Sequence, residues 1–170
     1  MDELTGPARI LIVDDEPAAI ELLRHALQHP EVVASTTDPR QALQLFGEFQ
    51  PDLLLLDLMM PGLDGLDVLR ELRRTLPANT YLPILVVTGH PEPEMRRAAL
   101  KAGASDLITK PYDMTEVGLR VSHLLQASDR LLSSGANGFL TKPLDIGQLL
   151  PTVDRFVARA QSPAAAGDSR

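Results

Sequence analysis

The sequence contains no cysteine and no tryptophan, and aromatic residues make up only 4% of its 170 positions. Without cysteine the chain forms neither disulfides nor thiolate metal sites, which agrees with a reducing compartment. The N-terminus lacks the basic and then apolar segment of a signal peptide. The longest apolar runs are strand-sized, far shorter than a membrane span. We therefore expect a cytoplasmic protein that does not enter the membrane.

Positive charge is also scarce. The chain has 16 Lys and Arg against 23 Asp and Glu, a net charge of −7, and no basic stripe. Proteins that bind nucleic acid directly carry a basic surface, so we expect no such binding. Apolar residues account for 44% of the sequence, which is enough for a hydrophobic core without covalent staples.

Short apolar runs alternate with amphipathic helical patterns along the chain. The predicted strands read RILIV, EVVAST, DLLLLD, PILVVTG and SDLIT, and each is followed by a segment with helical spacing of its apolar residues. Strands that are buried on both faces are apolar throughout, as these are. The alternation predicts a doubly wound α/β fold, in which a parallel sheet carries helices on both faces.

Polar side chains stand at the carboxyl end of four of these strands. They are Asp14, Asp15, Asp57, Thr88 and Lys110. The carboxyl ends of parallel strands meet at one edge of a sheet, so these groups should form one site. Clustered carboxylates suit Mg²⁺, and a lysine with a divalent ion facing a carboxylate is typical of phosphoryl transfer. An aspartate can itself be the nucleophile.

The motifs ILIVDDEP, PDLLLLDLMMPGLDG, ILVVTG and ITKP, in this order, resemble the receiver domain of two-component response regulators. We place this domain at residues 8–126. The resemblance implies a flavodoxin-like fold with strand order 2-1-3-4-5. It also implies that Asp57 accepts a phosphoryl group from a sensor histidine kinase or a phosphotransfer protein.

The same resemblance implies a magnesium site. Mg²⁺ would be ligated directly by Asp15, Asp57 and the backbone carbonyl of Met59, and Asp14 would act through water. The domain would accept a phosphoryl group but would not be an enzyme with turnover of its own.

Three further positions bear on how such a domain responds. The resemblance implies that Thr88 and Lys110 hydrogen-bond the phosphoryl oxygens and that Lys110 pairs with Asp57 beforehand. The family usually carries Tyr or Phe three residues before the lysine, but this chain has Leu107 there. Leucine has no polar group that could change between buried and exposed positions. The signal that the aromatic side chain usually gives at this position is therefore in question.

Two alternatives stand beside this interpretation. The first is a receiver-like module that mediates dimerisation or other contacts without phosphorylation, which the intact set of site residues argues against. The second is a phosphatase of the haloacid dehalogenase type, which needs a general-acid Asp two residues after the nucleophile. Met59 occupies that position.

The chain repeats part of its own sequence. ITKPYD begins at Ile108 and LTKPLD at Leu140, and Phe139 aligns with Leu107. Residues 127–160 therefore resemble a partial copy of the last strand and helix, an αβα-type extension, and residues 161–170 are expected to be a disordered tail. We expect no conventional output module in residues 127–170, so the output should be a protein contact, with a homodimer as one possibility.

The repeated segment also predicts a sixth strand. The fifth helix should run from about Asp113 to Ser133, and residues 138–141 should then form a strand. The simplest expectation is that this strand lies beside residues 106–109 in the same chain. The alternative is that it inserts into the sheet of a second copy as a swapped dimer.

Overall fold

A five-stranded parallel sheet forms the centre of the computed structural model, which describes residues 6–27, 32–78, 80–90 and 92–134. In chain order the strands are β1 (Arg9–Val13), β2 (Val32–Thr36), β3 (Leu53–Asp57), β4 (Met59–Met60), β5 (Leu63–Asp64), β6 (Ile84–Thr88) and β7 (Asp106–Thr109). The main sheet has the order β2-β1-β3-β6-β7, and β4 and β5 form a separate antiparallel pair. The predicted order 2-1-3-4-5 is confirmed, since β6 and β7 are the fourth and fifth strands of the main sheet.

Helices follow the strands as the alternation predicted. They are α1 (Pro17–Ala26), α2 (Ala42–Phe49), α3 (Gly65–Thr75), α4 (Pro93–Ala102) and α5 (Met114–Ser133). Asp64 caps α3 by accepting from the N–H of Leu66, and Asp113 caps α5. Gly103 ends α4 at a φ of 107°, a left-handed conformation that glycine adopts without strain.

A 3₁₀ turn precedes the second helix. Asp38 accepts a hydrogen bond from the N–H of Arg40, as an N-cap does, but Pro39 opens a 3₁₀ turn, Pro39–Gln41. The α-helix starts only at Ala42. A cap and a proline fix where a helical turn begins, but they do not decide between the two helix types.

Two hydrophobic clusters lie on opposite faces of the sheet. One contains buried residues of α1 and α5 with Ile10 and Ile12, and the other contains residues of α2, α3 and α4 with Leu11 and Val13. Alternate residues of a strand point to opposite faces, so β1 contributes to both clusters. The sheet is thus covered on both sides, as the uniformly apolar strands predicted.

The short β4–β5 hairpin was not predicted. Its turn contains Pro61 and Gly62, and Gly62 has a φ of 79°. Gly65, the first residue of α3, packs so closely on the end of β3 that a Cβ there would overlap the carbonyl oxygen of Asp57. The hairpin and this glycine hold the loop after β3 against the carboxyl edge of the sheet.

Helix α5 ends at Ser133, as predicted. The predicted extension strand with Phe139, the rest of the extension and the tail all fall in residues 135–170, outside the described ranges. Among the described residues, no helix has the length and apolarity that crossing a membrane requires.

Candidate functional site

Three carboxylates meet at the carboxyl edge of the sheet, as predicted. Asp14 follows β1 and is 1% exposed, Asp57 ends β3 and is 4% exposed, and Asp15 is half-buried. One oxygen from each lies within 4.8 Å of the others. Asp14 and Asp57 stand at the ends of two neighbouring strands whose apolar residues are buried. The two carboxylates are therefore buried as well.

Lys110 joins two of these carboxylates. Its Nζ donates to Asp14 Oδ2 at 3.0 Å and to Asp57 Oδ2 at 3.3 Å. The residue follows β7, and its backbone N–H donates to the carbonyl of Thr88 at 2.7 Å, which fixes its position beside β6. The predicted pairing with Asp57 is present in the structure, but the shorter bond goes to Asp14.

Opposing effects act on the pKa of the Asp57 carboxyl. Burial raises the pKa of the Asp57 carboxyl, and the negative charge of Asp14 raises it further. The N–H of Met59, which donates to Asp57 Oδ1 at 3.0 Å, and the charge of Lys110 lower it. Burial acts against the charge on Lys110, but its hydrogen bond to Asp14 and its attraction to both carboxylates raise its pKa. The lysine therefore remains a cation in this cluster.

Thr88 lies at the same edge but has no hydrogen bond to the described carboxylates. It ends β6, one residue beyond Val87, which pairs with Asp57 across the sheet. The side chain is fully buried, and its Oγ1 accepts from the N–H of His90 at 3.2 Å. The hydroxyl thus has a local partner within the loop that follows its strand.

The loop after β3 borders the site on its open side. Met59 is 47% exposed and pairs with Asp64 in the β4–β5 hairpin. An open cleft beside the carboxylates, of about 490 Å³, is lined by Asp15, Thr37, Asp38, Pro39, Arg40, Pro61, Gly62 and Leu63. The edge of the sheet is therefore open to solvent at Asp15.

Sequence reasoning missed Tyr112, which stands two residues after Lys110. It is half-buried against the α1/α5 cluster, and burial raises the pKa of its hydroxyl. The charges of Lys110, Asp14 and Asp57 all act on it, which shows that the ring lies beside the site. Only its nearness to Lys110 in the sequence pointed to it.

Leu107 is a core residue in this structure. It is 5% exposed and packs within the cluster formed by α2, α3 and α4. The position that the family usually gives to an aromatic ring is therefore filled by an aliphatic side chain that contributes to the core.

The donor atoms fit magnesium. The cluster offers three carboxylates and no sulfur or imidazole ligand among the described residues. Oxygen-only sets with few carboxylates suit a hard cation that keeps part of its water shell, which describes Mg²⁺. An acidic pocket with this composition also relieves its internal repulsion when a cation binds.

A doubly wound parallel sheet with an aspartate trio and a lysine at its carboxyl edge defines a receiver-like α/β protein. The family model of the response regulator receiver domain matches residues 10–122, and the chain belongs to this family. The predicted family and fold class are thereby confirmed.

Known proteins agree with this assignment. The chain is 39% identical over 158 residues to "Response regulator MprA" of Mycolicibacterium vanbaalenii, with 92% of this chain and 66% of the relative covered. It is 43% identical over 120 residues to "Cyclic di-GMP phosphodiesterase response regulator RpfG" of Xanthomonas campestris, covering 69% of this chain and 32% of the relative. The chain thus spans about two thirds of the length of the first relative and about one third of the second.

A solved structure supports the fold. The CheY-like response regulator receiver domain protein of Methanospirillum hungatei superposes with a TM-score of 0.67 at 24% identity, covering 74% of this chain and 98% of that one. At this identity the likeness speaks for the fold alone. The match covers nearly all of the solved domain and about three quarters of this chain, as expected if a receiver occupies most, but not all, of the sequence.

Proposed function

We propose that this chain receives a phosphoryl group on Asp57 from a phosphohistidine of a sensor histidine kinase or a phosphotransfer protein. The single observation that carries the proposal is the buried Asp57 carboxylate, hydrogen-bonded to Lys110 and flanked by Asp14 and Asp15. Neither a helix cap nor a structural ion pair requires three carboxylates and a lysine at the end of a sheet. A phosphoryl transfer site has a use for all of them, as nucleophile, as metal ligands and as a cation facing the transferred oxygens.

The transfer exchanges one bond for another. A carboxylate oxygen of Asp57 attacks phosphorus, the phosphorus–nitrogen bond to the donor imidazole breaks, and the imidazole leaves with the bonding electron pair. The N–H of Met59 and the ammonium of Lys110 hold the carboxylate in place during the attack. Acceptance by a side chain of the protein itself is stoichiometric, so we assign the chain no enzymatic turnover.

Mg²⁺ fits as the cofactor. Asp15, Asp57 and the carbonyl of Met59 would hold it directly, and Asp14 would act through water. When bound, it supplies positive charge to the oxygens of the transferred group. Lys110 adds its own positive charge to the same oxygens. Thr88 would complete the set: its hydroxyl oxygen accepts from the N–H of His90, and its own hydrogen is left to donate to a phosphoryl oxygen.

We assign residues 8–126 to the receiver, 127–160 to an extension and 161–170 to a tail. Helix α5 crosses the first of these boundaries without a break. We propose that the output is a protein contact, with a homodimer as one form of it. Leu100 on α4 and Leu119 on α5 are 44% and 55% exposed, and these apolar side chains suit the surface of a protein partner.

A matched pair of variants tests the acceptor. Asp52 comes directly before β3, and Asp57 is the last residue of that strand. Asp52 accepts a hydrogen bond from the N–H of Arg9, at the end of the strand far from the site. We expect the wild type and Asp52→Asn to gain one acid-labile phosphoryl group from a small phosphodonor with Mg²⁺, measured by intact mass. Asp57→Asn should gain none, and equal incorporation in this variant would overturn the assignment.

A further inference from the structure

Lys110 reaches the two buried carboxylates through a long and flexible side chain. Its Nζ donates to Asp14 and to Asp57, and these two hydrogen bonds hold the tip of the side chain. Such a stem loses much rotamer freedom when its tip is fixed in one place. The position of the ammonium therefore depends on how firmly the backbone is held on both sides of Lys110.

The sheet fixes the backbone before Lys110. Strand β7 pairs with β6 along all four of its residues, and the last pair joins Thr109 to Thr88. The N–H of Lys110 continues this pairing by one bond, to the carbonyl of Thr88 at 2.7 Å. Pro111 follows and has no N–H with which to extend the ladder. The chain therefore leaves the sheet directly after Lys110.

The loop after Lys110 has one partly buried side chain. Among residues 111–116, Tyr112 alone is not exposed, whereas Pro111 and residues 113–116 are exposed. Tyr112 packs against the α1/α5 cluster, and the next buried residue along the chain is Val117 in α5. The ring is thus the one side chain through which this loop is packed on the core.

The cap of α5 does not replace this contact. Asp113 accepts from the N–H groups of Thr115 and Glu116, at 2.7 and 3.2 Å, and its own side chain is exposed. These bonds fix where the helix begins. They join the loop to α5 alone, whereas the ring of Tyr112 joins it to a cluster that also contains residues of the sheet and α1.

The hydroxyl of Tyr112 lies among the charges of the site. Burial raises its pKa, the charge of Lys110 lowers it, and the charges of Asp14, Asp57 and Glu16 raise it further. The net effect is a raised pKa, so the side chain is neutral at physiological pH. The ring therefore stands beside Lys110 without adding a charge to the cluster.

We propose that Tyr112 is a positioning residue for Lys110. By packing the loop after β7 on the α1/α5 cluster, its ring keeps the ammonium between Asp14 and Asp57. The effect comes from the ring and does not require the hydroxyl. The expected effect on phosphorylation rests on the proposed function of Asp57, whereas the placement of the ammonium precedes any transfer.

Phosphorylation rates of matched variants give the first test. Tyr112→Ala removes the ring, Tyr112→Phe retains it, and Val121→Ala removes burial from the same cluster at a residue that is 2% exposed and lies in α5. The full chain is treated with a small phosphodonor and Mg²⁺ well below the unfolding temperature of each variant, and incorporation is followed by intact mass. We expect Tyr112→Ala to react about tenfold more slowly than the wild type, and the other two variants to react within about twofold of it.

The other outcomes overturn the proposal. Equal slowing in Val121→Ala would assign the effect to a general loosening of the cluster. Equal slowing in Tyr112→Phe would assign it to the hydroxyl, and an unchanged rate in Tyr112→Ala would show that Lys110 is positioned without the ring. A wild type that gains no phosphoryl group contradicts the proposed function instead, and a second measurement then decides the role of Tyr112.

That second measurement is a double-mutant cycle on stability, which needs no phosphodonor. Lys110→Met is made in the wild type, in Tyr112→Ala and in Val121→Ala, and the urea midpoints are compared. We expect it to lower the midpoint equally in the wild type and in Val121→Ala, but by about half as much or less in Tyr112→Ala. The reason is that a loosely held ammonium offsets the carboxylates less. Equal shifts in all three backgrounds would contradict the proposal.

Circular dichroism checks that the ring variant is folded. Tyr112 is only half-buried, so Tyr112→Ala should retain the spectrum of the wild type. Tyr112→Val, which also lacks the ring but removes less apolar surface, replaces it in both tests if that spectrum is lost. The same outcomes then support or overturn the positioning role.

Discussion

The apolar residues of the strands, called the body of the sheet here, and the carboxyl end of the sheet are both buried. The body contains hydrocarbon side chains, whereas the carboxyl end contains carboxylates. Leu55 in β3 is 0% exposed, and Asp57, two residues later in the same strand, is 4% exposed. In the body, burial of apolar side chains stabilises the fold. At the end, burial raises the pKa of the Asp57 carboxyl, which means that the fold disfavours its ionised form. The body supplies the stability that holds together the mutually repelling carboxylates of the proposed phosphoryl transfer site.

The largest effect is expected from the body. Leu55→Ala should lower the free energy of unfolding by about 2–5 kcal/mol, because it leaves a cavity in the core cluster between the sheet and helices α1 and α5. Urea unfolding followed by circular dichroism measures this. Leu22→Ala on α1 is the control, since Leu22 is 50% exposed, and it should change stability by less than about 0.5 kcal/mol. A similar loss in the two variants would remove the distinction between body and surface.

The next effect concerns the cation at the carboxyl end. Lys110→Met leaves Asp14 and Asp57 buried without their shared partner, so it should lower the free energy of unfolding by about 1–3 kcal/mol. Lys101→Met, at an exposed position near the end of α4, is the control. Equal unfolding midpoints for these two lysine variants would show that Lys110 does not offset the carboxylates.

Neutralising the acceptor should act in the opposite direction. Asp57→Asn at neutral pH should raise the free energy of unfolding, because it removes a charge that burial and the charge of Asp14 disfavour. The same variant should lose phosphorylation, so stability and function change with opposite sign. Asp52→Asn provides the comparison at the other end of the strand. A destabilised Asp57→Asn would break the contrast between body and end.

The smallest effect is that of the metal. Mg²⁺ at about three times its Kd should stabilise the wild type by about 0.8 kcal/mol, since it binds the folded cluster. Thermal unfolding with and without Mg²⁺ measures this as a rise in Tm. Asp15→Asn removes one proposed ligand and should respond less. An equal rise in both proteins would place the ion elsewhere.

Much of the fold was predictable because its signals are local. Uniformly apolar runs such as DLLLLD identify strands covered on both faces, and caps such as Asp64 and Asp113 mark where helices begin. The strand order came with the family resemblance. The meeting of Asp14, Asp57 and Lys110 followed from their place at the ends of parallel strands.

What the sequence did not disclose depends on packing between distant segments. The β4–β5 hairpin has strands of two residues, too short for any periodic pattern. Lys110 lies nearer Asp14 than Asp57, and this depends on how β7 is placed beside β6. The present partner of Thr88, the N–H of His90, is set by the loop after β6, which has no repeating pattern.

Mapping the phosphorylated residue tests the central claim most directly. The protein is treated with a small phosphodonor and Mg²⁺, the acyl phosphate is reduced with borohydride, and the peptides are sequenced by mass spectrometry. The account predicts that Asp57 alone is converted to homoserine. Conversion at Asp14, Asp15 or another carboxylate in place of Asp57, or no conversion anywhere, would contradict it.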